Sequence, residues 1–70
     1  MNSCELKGEM ARNHDTQEKL AEALDLSVSG VNQRINGKVE WRRSEINAIR
    51  RRYGLSPEDT IRIFFAEEVS

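Results

Sequence analysis

Apolar residues along this chain recur three and four positions apart in short runs separated by polar breaks, the pattern of successive amphipathic helices. Leu6 and Met10, with Ala11 beside them, give an inner side to a helix over Ser3 to Asn13, where Gly8 marks a close crossing with another helix. Leu20, Ala21 and Leu24 mark a second helix, and Val31 and Ile35 a third. Val39 and Trp41 then alternate with Lys38, Glu40 and Arg42 in a short extended loop, with Trp41 covering the core beneath it. Ile46, Ile49 and Tyr53 follow on a fourth helix. The fifth carries Ile61, Ile63, Phe64 and Phe65; at helical spacing Ile61, Phe64 and Phe65 form one stripe, and Ile63 is aimed elsewhere. This apolar surplus predicts either a self-association face or contact with the tail at Val69.

The breaks between runs carry start and stop signals. Thr16 and Ser27 are placed to accept hydrogen bonds from the free N–H groups of the second and third helices. Asn36-Gly37 closes the third helix, Gly37 supplying the left-handed conformation usual just past a C-terminus. Ser44 is positioned to cap the fourth helix, which Gly54 ends. Ser56-Pro57-Glu58-Asp59 then reads as cap, first helical position and acidic first turn of the fifth. The expected fold class is all-α: a compact five-helix bundle, residues 1–70 forming a single domain. At this length one hydrophobic core is only just sufficient.

The third helix has an unusual outer face. Ser29, Asn32, Gln33 and Asn36 fall at i, i+3, i+4 and i+7, opposite Val31 and Ile35. A merely solvated face favours Lys and Glu, which are better helix formers than Asn or Ser. Asn and Gln carry a donor and an acceptor on one planar amide, which suits paired contact with adenine in a major groove.

With its T-Q-x-x-L-A-x-x-L opening at Thr16 and its N-G-K exit at Asn36-Gly37-Lys38, the stretch 16–37 resembles the helix-turn-helix of the lambda-repressor/Cro family of phage and bacterial regulators. The resemblance implies a lambda-repressor-like DNA-binding domain acting as a homodimer on a two-fold operator, with the third helix in the major groove of double-stranded DNA. Carried over position by position, it implies base reading by Val28, Ser29, Asn32 and Gln33 and backbone contact by Gln17, Asn36, Lys38 and Arg43. Local charge adds Arg34 and Arg42 to the backbone set. The four apolar residues Ile61, Ile63, Phe64 and Phe65 are the candidate dimer interface. Two positions depart from the family pattern: Asp25 stands where the turn usually has Gly, and Gly30 sits inside the reading helix.

Charge distribution supports this reading where net charge does not. The chain totals −1, yet residues 34–52 hold seven basic residues against Glu40 and Glu45, and the remainder holds four against ten. A phosphate-facing patch on an acidic body accounts for the asymmetry. Arg50, Arg51 and Arg52 lie in the last turn of the fourth helix, where they complement its dipole and are read as mainly structural.

Other chemistry is thin. One cysteine, Cys4, excludes an internal disulfide and points to a reducing intracellular compartment; the resemblance to phage and bacterial regulators implies the cytoplasm of a prokaryotic or phage-infected cell. Cys4 reads as a small packed side chain, and His14 as a turn or surface residue with no catalytic partner in view. One His and one Cys do not make a zinc site, so no metal or cofactor is expected. No small-molecule ligand is evident either. No paired carboxylates, nucleophile–base pair or phosphate loop suggests an enzyme. The run Ile61 to Ala66 is too short to span a bilayer, and no basic-then-apolar leader opens the chain. The alternative to a transcriptional regulator is a protein-interaction module on the same fold, without specific operator binding.

Overall fold

The computed structural model describes residues 2–65, so the expected contact with Val69 lies outside the described residues. Five helices make up the fold: α1 (Ser3–Arg12), α2 (Gln17–Leu24), α3 (Val28–Ile35), α4 (Arg43–Tyr53) and α5 (Pro57–Thr60), the last continuing through one π-helical segment, Ile61–Phe65. No strand occurs among the described residues. This is a small all-helical fold consistent with a helix-turn-helix-like domain.

Local sequence signals account for most helix ends. The side chains of Asn2, Thr16, Ser27 and Ser56 accept from the N–H groups of Glu5, Lys19, Gly30 and Asp59. Asp25 takes the left-handed conformation at the end of α2 (φ 57°, ψ 43°), where a glycine is otherwise usual. Asp tolerates that region better than most residues. Gly37 (φ 77°) and Gly54 (φ 63°) do the same after α3 and at the end of α4.

The expected cap at Ser44 is corrected. Arg42 is the N-cap of α4, and Ser44 lies within the first turn. The backbone N–H of Arg42 donates to the Glu45 carboxylate (2.8 Å), so a side chain three residues ahead sets the start.

Leu6, Met10, Leu20, Ala21, Val31, Ile35, Ile49, Leu55, Ile63 and Phe64 form the buried core, with Leu24, Leu26, Trp41, Ile46 and Tyr53 packed around it. Trp41 meets Phe64 edge to face, ring centroids 6.1 Å apart, and so roofs the core beneath the loop after α3. Two minor expectations fail: Ala11 and Cys4 are both exposed. Gly8 marks no helix crossing, since a methyl group there would meet only the end of Arg12, at 4.0 Å.

The larger correction concerns the last helix. Ile63 is fully buried and Phe64 nearly so, while Ile61 and Phe65 are 58% and 61% exposed. The inward stripe is Thr60, Ile63 and Phe64, at i, i+3 and i+4. Thr60 can join it because its hydroxyl donates to the backbone oxygen of Ser56 (2.9 Å), removing the cost of burying a polar group. Ile63 and Phe64 therefore drop out of the candidate dimer interface, leaving Ile61 and Phe65.

Ion pairs join distant elements. Arg62 reaches Glu5 (3.5 Å) and Asp59 (3.1 Å), tying the last helix to α1. Asp15, in the turn before α2, receives two bonds from Arg52 (2.8 and 2.9 Å) and one from the Tyr53 hydroxyl. The hydrogen bond from Arg52, with that from Tyr53 behind it, lowers the Asp15 pKa from 3.8 to about 2. Burial, and then the Asp15 carboxylate, push the Tyr53 phenol up. A carboxylate with a depressed pKa stabilises the fold fully above its unfolded value, and that contribution is lost as pH falls through the folded value. Acid unfolding should therefore steepen between about pH 4 and pH 2, by at most about 2.5 kcal/mol. Solvent at the one-third-exposed Arg52 side chain reduces that figure. Asp15→Asn should flatten this limb in a circular-dichroism titration; an unchanged limb would assign it to other carboxylates.

Candidate nucleic-acid interface

α2 and α3 pack through Leu20, Ala21, Val31 and Ile35, which turns the polar side of α3 outward. Val28, Ser29, Asn32, Gln33 and Asn36 are all exposed, Val28 at 45%. The amides on this face are ordered unequally. Asn36 donates to Asn32 Oδ1 (2.9 Å), and Asn32 Nδ2 donates to Gln17 Oε1 on α2 (3.3 Å). Asn32 thus stands edge-on between two neighbours, with one donor hydrogen and one acceptor lone pair already engaged. Gln33 and Ser29 make no side-chain hydrogen bond among the described residues, which leaves the Gln33 amide with donor and acceptor both open.

The basic residues divide in a way that charge counting does not reveal. Lys38, Arg42 and Arg43 are exposed and form no ion pair among the described residues. Arg34 is different. Its Nε donates to Glu45 (3.1 Å), its Nη1 to the backbone oxygen of Gly30 (3.0 Å), and only 11% of the side chain is exposed. Those bonds turn the guanidinium inward, so its assignment as a phosphate contact is corrected to a support for the loop.

Glu45 is the residue the sequence reading passed over. It is 7% exposed and accepts from both Arg34 and the Arg42 backbone, locking the end of α3 to the start of α4. The available signal was an acidic residue at the third helical position, the place from which a side chain reaches back to its own N-cap. The loop it braces is anchored at the other end by Lys38 N–H on the backbone oxygen of Gln33 (2.9 Å). Lys38 and Arg42-Arg43 are thereby carried at fixed places beside the α3 face.

Gly30 lies between two of these supports. A methyl group there would come within 3.2 Å of the Ser27 hydroxyl and 3.3 Å of Arg34 Nη1, so both would have to shift. Its glycine accommodates the cap and the buried guanidinium on the inner flank of α3.

No group of three His, Cys, Asp or Glu side chains among the described residues could hold a metal ion. Nor is any helix among them long and apolar enough to cross a membrane. Cys4 is a free thiol. No curated protein matches the chain in sequence. A family model covers residues 2–67, nearly the whole length, and the chain therefore belongs to the DUF739 family, proteins of unknown function.

Proposed function

We propose that this protein binds double-stranded DNA sequence-specifically and regulates transcription by occupying an operator, in the manner of the repressor/Cro regulators that its 16–37 stretch resembles. The observation that carries the reading is the exposed amide and hydroxyl face of α3, beside Lys38 and Arg42 on the braced loop and Arg43 at the start of α4, which are exposed and form no ion pair among the described residues. Gln33 is the principal base reader, with Ser29 and Val28 beside it. Asn32 has a double role, reading an edge while holding α3 to α2 through Gln17. Lys38, Arg42 and Arg43, together with Gln17 and Asn36, hold phosphates, which position the helix without specifying sequence. The start of α4 adds backbone N–H groups beside Arg42 and Arg43. No bond in the DNA is made or broken, so no catalytic residue, cofactor or small ligand is required. A homodimer would use the exposed Ile61 and Phe65, one helical turn apart.

Duplexes selected from a random pool by the full chain test the reading. Gln33→Ala should lose about 1–3 kcal/mol of discrimination at a defined base pair. Lys38→Ala should weaken every sequence alike and lower the salt slope by about 1 per monomer. Equal losses on selected and random DNA from both variants would refute the face assignment. The same exposed Ile61 and Phe65 favour a second reading, a protein-interaction module, and failure to enrich any duplex would select it.

A further inference from the structure

The ion pairs leave one stretch of α4 unused. Arg12, Arg34, Arg52 and Arg62 all find carboxylates. Arg43, Arg50 and Arg51 find none among the described residues, and the Arg50 Nε is enclosed without an acceptor. At about 100° per residue these three and Asn47 share one sector of the helix, roughly 12 Å long. The opposite sector carries Glu45, which faces Arg34 on α3, and Arg52, which faces Asp15 before α2. The stripe, without an ion pair among the described residues, therefore points away from the α2–α3 pair. Asn47, Arg50, Arg51 and Leu55 line a shallow depression along it.

A complementary row stands on α2. Glu18 and Glu22 are exposed on one flank, with Asp25 exposed at the C-terminal cap, and none of the three is ion-paired among the described residues. Gln17 and the buried Leu20 and Ala21 occupy other sides of that helix. The acidic row runs roughly 10 Å, close to the length of the basic one. Each row carries three charges of opposite sign to the other's.

We infer that the α4 stripe of one copy docks on the α2 acidic row of a second copy of this chain, a head-to-tail contact separate from any pairing through Ile61 and Phe65. Such a contact is heterologous: a docked pair keeps one free acidic row, on one copy, and one free basic row, on the other, so copies add in series. Exposed ion pairs are individually weak and screened by salt, so the contact forms at high protein concentration and low salt. The inference concerns the free protein and does not depend on DNA binding.

Dilution of the isotope-labelled full chain, followed by amide NMR, tests it. From about 1 mM downward at roughly 0.01 M salt, where the Debye length is about 30 Å, amides of the two rows should shift together with concentration. At about 1 M salt, where it is about 3 Å, the shifts should vanish. Arg50→Glu/Arg51→Glu and Glu18→Lys/Glu22→Lys should each abolish the concentration dependence, and the chain carrying all four changes should regain it. Arg51→Glu alone, at an exposed position, should act in the same direction and guards against a folding defect at Arg50. Shifts confined to the surroundings of Ile61 and Phe65, shifts that survive high salt, or none at low salt would overturn the inference. So would saturation of the α4 stripe by poly-glutamate without self-association, which would assign it to a different acidic partner.

Discussion

Ile63→Glu should leave the chain unfolded at room temperature, while Phe65→Glu, two residues on, should fold normally. A domain of this length has a total stability of roughly 4–10 kcal/mol. Removing a fully buried isoleucine and enclosing a carboxylate in its place combines a lost apolar contact with an unpaired charge, and costs about 4 kcal/mol or more. Ile63 touches more than the core, since its backbone oxygen accepts from Asn2 N–H (2.7 Å) and so closes the last helix on the start of α1. Phe65 is 61% exposed, and a surface change of that kind shifts stability by about 0.5 kcal/mol or less. Thermal and urea unfolding followed at 222 nm would separate the two. A cooperative transition near the wild-type midpoint for Ile63→Glu would place that side chain outside the core. With Phe65→Glu folded, its oligomeric state then reports on the exposed pair without interference from the core.

The second large effect expected is on affinity. If a dimer neutralises about 6 phosphates, log K should fall against log salt with a slope near −5, close to a 10³-fold loss between 50 and 200 mM. A chain of net charge −1 can show so steep a slope only if its cations are locally concentrated. Here Lys38, Arg42 and Arg43 provide that concentration, and Arg34 does not contribute because Glu45 already neutralises it. Arg34→Gln should therefore leave the slope almost unchanged while loosening the loop, whereas Arg43→Gln should lower it by about 1 per monomer. Fluorescence anisotropy on a selected duplex across a salt series would measure both. A slope near zero for the wild type would favour the interaction-module reading.

Sequence and tertiary structure divided the determination of this protein along the range of the forces involved. Most of what is set within one helical turn was legible beforehand, the start of α4 at Arg42 rather than Ser44 excepted. Thr16, Ser27 and Ser56 cap, Gly37 and Gly54 terminate, Asp25 bends the turn, and the polar side of α3 lies opposite Val31 and Ile35. A cap needs only its own N–H partners three residues on, and a helix face follows from periodicity alone. Interactions between residues far apart in the chain were not legible. Asp15 with Arg52 and Tyr53, and Arg34 with Glu45, are pairings that the packing of helices selects from many charged side chains. The phase of the last helix was not legible either, here because of a local bond. Ile61, Phe64 and Phe65 form as regular an apolar stripe as the one adopted, but Thr60 satisfies its hydroxyl on Ser56 and joins Ile63 and Phe64 in the core. Apolar periodicity ranks faces by hydrophobicity, and a polar residue that finds its hydrogen bond inside the helix escapes that ranking. Which residues share the exposed polar face of α3 was therefore written in the sequence, and which cations stay without an ion pair among the described residues followed only from how the helices pack.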